Sequence, residues 1–307
     1  MISSFFSKTK PVNYLTALGF VGVVYIVLVL LNTTDLWSLE VFIPKLIVFL
    51  LLLLTVFSVI PILKTNKLAE VSSLPMLFFA LLTMAFLVSL NNNAAIVSNF
   101  LIVLGMDKSL SLKEEKRTKY KIFEAALLVF AASVFNEWAL LFLIPIYIAI
   151  YVYCGTQLRN WLMPLAAAVV IVLLSLVYSV LSGHTNFFQD HYQFQLNTDF
   201  SINRYMGVGL YIIFTLVLTI IAQVKLANRA MGRILSLRIL GAFYTIGIAL
   251  VFLSSEMGMD AIIYTFFPAA IFFSNYFETV KRKRFKEVFL VVLILGALVL
   301  GLSYLIQ

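Results

Sequence analysis

The sequence predicts an all-α protein, a polytopic transmembrane helical bundle of about eleven spans. Its composition is the first reason: 63% of the 307 residues are apolar and 12% are charged, against about half and about a quarter in soluble domains. The second reason is that apolar runs of nearly membrane-spanning length recur from Tyr14 to Ile306. Lipid is therefore the expected solvent for most of the surface. Because no long polar linker divides the chain, we expect one transmembrane domain over residues 1–307.

Each predicted span is an apolar stretch measured against the roughly 20 residues that cross the hydrocarbon. In chain order the spans are Tyr14–Leu31, Ile43–Leu63, Leu74–Leu90, Ala94–Met106, Ile122–Phe135, Ala139–Tyr153, Leu162–Leu181, Val208–Val224, Ile239–Ser254, Ala261–Phe277 and Val288–Ile306. The fourth, fifth and sixth are short. The fourth is open to interpretation as a re-entrant segment, and the fifth and sixth as one long helix bent at residues 136–138.

The basic residues predict the orientation. With a cytoplasmic N-terminus and eleven crossings, all but two of the 22 lysines and arginines fall on the cytoplasmic side, and the exceptions are Lys45 and Arg204. This is the positive-inside asymmetry. A re-entrant fourth span, or a merged fifth and sixth, would place basic clusters on opposite sides. The pattern therefore favours eleven crossings with an external C-terminus.

Several function classes lack support in the sequence. The net charge of +8 is spread over short clusters between apolar runs, which indicates topology and not a nucleic-acid surface. No phosphate-binding loop, dinucleotide fingerprint, zinc-protease motif or nucleophile elbow is present. Cys154 is the single cysteine, so neither an intrachain disulfide nor a cysteine metal cluster is expected, and no cofactor is indicated.

Carboxylates on the predicted external side are the candidate catalytic residues. Asp35 and Glu40 follow the first span, and Glu137 interrupts the short fifth and sixth spans near the membrane boundary. Charges at that depth are costly and are usually partnered or functional. The competing interpretation of Glu137 is a solvated hairpin turn anchored by Trp138.

Candidate substrate-binding residues lie in two regions, a long external loop and the segment around the start of the fourth span. His184, Asp190 and His191 belong to an aromatic-rich loop and combine imidazole with carboxylate, although their spacing matches no established metal motif. Asn91, at the start of the run Asn91–Asn93, and Asn99 offer amides for a sugar or a lipid headgroup. For each set a structural role is the simpler explanation: an interfacial loop for the first, a turn and a helix–helix hydrogen bond for the second.

Four segments resemble an uncharacterised family of bacterial inner-membrane proteins: MISSFFSKTKPVNY at 1–14, NNNAAIVSNFLIVLGMDKSLSL at 91–112, FEAALLVFAASVF and LRNWLMPL. The resemblance covers the whole chain and implies the bacterial inner (cytoplasmic) membrane, without an activity. More loosely, the order of loops and helices resembles membrane glycosyltransferases that use polyprenyl-phosphate sugars. That resemblance implies a general base or metal ligand at Asp35, with Glu40 second. This chain lacks the large loop after the first span and the large soluble C-terminal domain of that class.

These observations lead to three ranked hypotheses. The first is a glycosyltransferase-like protein acting on lipid-linked sugars in cell-envelope biogenesis. The second is a non-enzymatic membrane subunit of a transport, secretion or assembly complex, with protein partners. The third is a transporter of a lipid or small solute. The expected partners are the bilayer and a lipid-linked sugar or anionic lipid held by the basic clusters, and no nucleic acid.

Overall fold

The structure, a computed structural model, describes residues 2–33, 38–183, 186–198, 202–226, 231–255 and 257–306, with backbone alone for 202–204, 226, 231 and 306. These residues form thirteen helices: α1 Ile2–Phe6, α2 Pro11–Asn32, α3 Leu39–Asn66, α4 Leu74–Ala85, α5 Asn93–Leu110, α6 Thr118–Ser133, α7 Leu143–Cys154, α8 Leu158–Ser182, α9 Phe187–His191, α10 Ile202–Leu226, α11 Met231–Leu253, α12 Phe266–Thr279 and α13 Lys283–Ile306. The all-α prediction is confirmed for this part of the chain.

Eight helical segments in the described residues are long and apolar enough to cross a membrane. They comprise α2, α3, α5 with its following turn, α7 with its preceding turn, α8, α10, α11 and α13. The fourth span, which the sequence predicts to be short, is longer in the structure, because α5 and the turn after it together run over Asn93–Glu114. The helices of the predicted third, fifth and tenth spans, α4, α6 and α12, are shorter. A multi-pass membrane protein follows from the eight alone.

Four 3₁₀ turns interrupt the apolar segments, at Leu87–Leu90, Ser111–Glu114, Glu137–Phe142 and Gly258–Thr265. Asparagine side chains cap the start of α5 and the start of the turn Glu137–Phe142. The Asn92 side chain accepts a hydrogen bond from Ala95 N (3.2 Å) at the start of α5, and Asn136 accepts one from Trp138 N (3.1 Å). These are N-cap bonds, which satisfy donors that a helix start leaves free. Helices α6 and α7 pack against each other as a hairpin, not as one bent helix.

The core of the bundle is formed by α4, α5 and α12. Phenylalanines of α4 and α12 interlock there, with Phe78 5.0 Å from Phe277 and Phe79 5.8 Å from Phe266 between ring centroids. In contrast, only 11% of the apolar window of α8 and 17% of that of α13 is buried, against 61% for α5. Because apolar side chains cover these exposed helices, their outer faces are suited to lipid contact.

Hydrogen bonds gather the helix ends into two groups. At one end of the bundle, which we call the asparagine end, the joining residues are Asn32, Asn91, Asn92, Asn93 and Asn136. At the opposite end, which we call the basic end, lysine and arginine make the long-range bonds. There Lys113 donates to the carbonyl of Asn66, and Arg233 donates to the carbonyl of Leu68 (3.0 Å).

Candidate functional site

Three of the 3₁₀ turns meet at the asparagine end. The turn Gly258–Thr265 packs against the turn Leu87–Leu90 and against α5, and the turn Glu137–Phe142 packs against α5 and α11. Each turn brings polar backbone and side chains to the end of an apolar segment. Irregular backbone at membrane depth is found where it is buried in protein or lines a cavity. This meeting point is therefore the first place to look for a binding site.

Asp260 is the carboxylate at this meeting point. It lies in the turn that precedes α12 and is partly buried, and the amide of Asn92 lies beside it. Burial raises the pKa of Asp260 to about 6, although the neighbouring Asn92 amide acts against the shift. A carboxylate with a pKa close to neutral is suited to accept a proton from a substrate hydroxyl.

Asn136 and Glu137 approach the same turn from the α6–α7 hairpin. The Asn136 amide donates to the hydroxyl of Tyr264 (2.9 Å), four residues after Asp260 in the chain. Glu137 is buried, with 3% of its surface exposed. This burial does not fit the competing interpretation of Glu137 as part of a solvated hairpin turn, and the predicted position of its carboxylate near the outer membrane boundary stays a prediction. Asn136 thus caps one turn and ties it to another.

The run Asn91–Asn93 connects this end to three further helices. Asn91 accepts from the Asn32 amide (3.0 Å) and donates to the hydroxyl of Tyr304. Asn93 accepts from Lys45 Nζ (2.9 Å). The run therefore links the ends of α2 and α13 to the first part of α3, and it is more than the simple turn that the sequence suggests.

Two buried polar side chains near these turns have no hydrogen-bond partner among the described residues. Both amide atoms of Asn99, on α5, are unpartnered although 1% of the residue is exposed. The indole nitrogen of Trp138 is also unpartnered, at 7% exposure. The helix–helix bond expected for Asn99 is thus not formed here. Buried polar groups without partners are rare and call for an explanation, of which a ligand is one.

An apolar groove lies next to this end, between α4, α10, α12 and α13, with a volume of about 580 Å³. Gly207 and Gly296 line it, and a Cβ atom on either would meet nothing within 4 Å. Phe86, which leads into the turn Leu87–Leu90, lines it as well. At Gly301 a Cβ would lie 2.5 Å from Met84 O, so glycine there allows α13 to approach α4 closely. The groove is within the size range of ligand sites.

The loop between α8 and α10 covers the α6–α7 hairpin. His191 Nε2 lies 2.8 Å from Ser133 O, and its ring stacks on Phe187 with centroids 5.2 Å apart. Phe194 packs edge-on against Trp138 at 5.4 Å. The loop is also bonded to the end of α11, where Asn197 N donates to Leu253 O (2.9 Å). In the part of the loop that the structure describes, this segment is a cover over the hairpin that carries Glu137.

The structure brings some of the predicted site residues together and leaves others apart. Asp35 and His184 lie outside the described residues. Glu40 is exposed in the first turn of α3, where a negative charge stabilises a helix start. Asp190 is exposed, and no group of three potential metal ligands occurs among the described side chains.

Asp260 is the residue that reasoning from the sequence missed as a site candidate. It was identifiable only as one of several acids on the predicted external side. Its neighbour Asn92 is distant in the chain, so no local pattern marks the pair. The sequence does show a break between two apolar segments at Asp260, as it does at Glu137.

The raised pKa of Asp260 predicts a pH-dependent gain in stability for Asp260→Asn. Because the folded protein holds the proton more tightly than the unfolded chain does, the carboxylate destabilises the fold progressively as pH rises from about 4 to about 6, and the cost persists above. Thermal unfolding in detergent should show the variant more stable at pH 8 by the order of 1–3 kcal/mol, with no difference at pH 4. Equal stability of the variant and the wild type at pH 8 would contradict the raised pKa of Asp260.

The chain matches no family model, no curated protein and no solved structure.

Proposed function

We propose that this protein binds a lipid-linked sugar, with the headgroup at the asparagine end and the lipid chain in the apolar groove, and transfers the sugar to an acceptor. The observation that carries the proposal is the position of the groove beside two of the turns at the asparagine end. Phe86, which leads into the turn Leu87–Leu90, lines the groove, and so does Tyr211, whose hydroxyl lies 2.9 Å from the hydroxyl of Thr265 at the end of the turn Gly258–Thr265. A substrate with a polar head and a long apolar chain needs a polar site for its head and, next to that site, an apolar groove for its chain. The loose resemblance to polyprenyl-phosphate-sugar glycosyltransferases agrees with it.

In this proposal Asp260 is the general base. The carboxylate takes the proton of the acceptor hydroxyl, the hydroxyl oxygen bonds to the anomeric carbon, and the bond from that carbon to the lipid phosphate oxygen breaks. The lipid phosphate leaves with the electron pair. Asn91, Asn92 and Asn99 supply amides for the sugar hydroxyls, and Glu137 adds a second buried carboxylate.

The proposal includes the finer topology predicted from the sequence. Eleven crossings, a cytoplasmic N-terminus and an external C-terminus place the asparagine end outside a bacterial inner membrane. The two groups of hydrogen bonds support this arrangement, because each joins only loops and helix ends predicted on one side. The helices α4, α6 and α12 are short. In this topology each crosses the membrane together with its adjoining turn or with the polar residues at its ends.

Filling the groove tests the proposal. Gly207→Leu places a side chain in the groove at a position where the added Cβ meets nothing within 4 Å. We expect binding of a polyprenyl-phosphate sugar in nanodiscs to weaken about tenfold or more, since several methylene contacts are lost. Gly209→Leu is the matched control: it lies on the same helix, has the same free space and does not line the groove.

Equal affinity of the two variants would contradict the location of the lipid chain. Absence of binding by the wild type, together with a stoichiometric protein partner on purification from the native host in mild detergent, would favour the hypothesis of a non-enzymatic subunit instead.

A further inference from the structure

A second cavity, distinct from the asparagine end, lies at the basic end of the bundle. It has a volume of about 470 Å³. Its lining comes from residues 115–120, the loop before α6 with the first turn of that helix, and from residues 153–160, the end of α7 with the start of α8. This volume is within the range of small-molecule sites. The notable property of the cavity is its polar lining, which includes Thr118, Thr156 and one acidic residue, Glu115.

Two cations face this cavity without a partner. Arg117 and Lys119 line it, both are exposed, and neither side chain forms a hydrogen bond or an ion pair with the described residues. Other cations of the same loop are engaged: Lys121 Nζ pairs with Glu114 (3.0 Å) and donates to Ser111 O (2.7 Å). The cavity thus contains two of the unengaged charges of the cluster. Arginine and lysine are the side chains that bind phosphate most strongly.

The opposite wall is the start of α8. Its N-cap residue, Gln157, makes no side-chain cap bond, so the positive end of the helix dipole faces the cavity without an acidic cap. Asn160 lines the same wall with 3% of its surface exposed. Its Nδ2 donates to Cys154 O (3.0 Å), whereas its Oδ1 has no hydrogen-bond partner in the described chain. A buried acceptor of this kind calls for a donor such as a hydroxyl.

The loop that carries the cations is held in an unfavourable backbone conformation. Glu115 and Arg117 both have left-handed φ angles, 54° and 51°, which cost non-glycine residues of the order of 1 kcal/mol each. The bonds of Lys121 and the buried side chain of Leu112 hold the loop in place. Arg117, the second of these two residues, is held by this loop at the edge of the cavity that it lines.

We propose that this cavity binds a phosphate ester that carries a free hydroxyl, with the phosphate at Arg117, Lys119 and the start of α8 and the hydroxyl at Asn160. The chemistry fits two sources, the headgroup of a glycerol phospholipid of the cytoplasmic leaflet and a soluble polyol phosphate. The site is at the opposite end from the proposed transfer site and does not depend on it.

Cys154 provides the reporter for the test. It is the only cysteine of the chain, is half-buried and lines the cavity. At fixed pH, a saturating ligand in the cavity should slow the modification of Cys154 by a small thiol reagent about tenfold. The experiment has two arms, and we expect protection in one of them. One arm adds sn-glycerol 3-phosphate to protein in phosphatidylcholine nanodiscs, and the other replaces part of the phosphatidylcholine by phosphatidylglycerol. Protection in the first arm identifies a soluble ligand, and protection only in the second identifies a lipid headgroup.

Charge variants make the test specific. Arg117→Gln combined with Lys119→Gln should weaken binding about tenfold or more, because two charge-assisted contacts are lost. Lys116→Gln removes a charge from the same loop but does not line the cavity, and should leave binding within about twofold. Equilibrium dialysis of labelled sn-glycerol 3-phosphate and native mass spectrometry of retained phosphatidylglycerol repeat the comparison without the thiol. Binding in neither arm, or equal weakening by Lys116→Gln, overturns the proposal.

Discussion

Asp260→Asn is expected to lower the rate of sugar transfer from a lipid-linked donor by about 10²–10⁴-fold, the usual contribution of a general base. The amide keeps the size of the carboxyl group but cannot accept the proton of the acceptor hydroxyl at neutral pH. In the wild type the rate should fall as pH drops below about 6, because the carboxyl becomes protonated there. The measurement is transfer of labelled sugar in nanodiscs over a range of pH.

The control for this variant is Glu124→Gln, which makes the same chemical change at the basic end. Glu124 pairs with Lys108 (2.7 Å), and both side chains are close to half exposed, so the loss of this pair costs little. Transfer by Glu124→Gln should equal that of the wild type. If Asp260→Asn keeps the wild-type rate while Glu137→Gln or Glu40→Gln loses it, the base is one of the carboxylates predicted from the sequence and not Asp260.

Arg233→Ala is expected to lower the free energy of unfolding by about 3 kcal/mol, the largest loss of stability among the variants proposed for this protein. Arg233 donates to Leu68 O (3.0 Å) and to Asn275, and it pairs with Glu278 at 2.6 Å. Removing it leaves the Glu278 carboxylate, 9% exposed, with the backbone N–H of Glu70 as its remaining bond. Burial already raises the pKa of Glu278 and Arg233 opposes that shift, so the variant should lose more stability as pH rises.

A double variant separates the lost charge pair from lost packing. Arg233→Ala with Glu278→Gln should recover part of the stability, since the uncompensated buried charge is removed as well. Arg238→Ala, on the exposed side of the same helix, should stay within about 0.5 kcal/mol of the wild type in thermal unfolding. A loss for Arg233→Ala no greater than for Arg238→Ala contradicts the structural role of the network.

The helical segments could be predicted from the sequence because apolar runs report directly on contact with lipid or core. The ends of these segments were predicted less accurately. The fourth predicted span stops at Met106 because the next residues are charged, yet α5 continues to Leu110. Asp107 accepts a hydrogen bond from Asn66 (2.6 Å), and Lys108 pairs with Glu124. These partners come from other helices, so a local window cannot anticipate them.

The candidate site was harder to predict than the segments. The sequence identifies Glu137 and the run Asn91–Asn93 by their interruption of apolar runs. Which interruptions meet in space depends on helix packing, and the approach of Asp260 to Asn92 has no local signature. The apolar groove was equally hidden, because its opening at Gly207 and Gly296 depends on the relative positions of two helices.

The most direct test of the proposed function is a structure determined in nanodiscs with a bound polyprenyl-phosphate sugar. We predict headgroup density within hydrogen-bonding distance of Asn92 and Asp260, continuous with chain density that passes Phe86 and fills the groove between Gly207 and Gly296. Density for the sugar headgroup at the basic end and not at the asparagine end would contradict the proposal. Chain density in the groove that is the same with and without the sugar lipid, and that never continues into headgroup density, would contradict it as well.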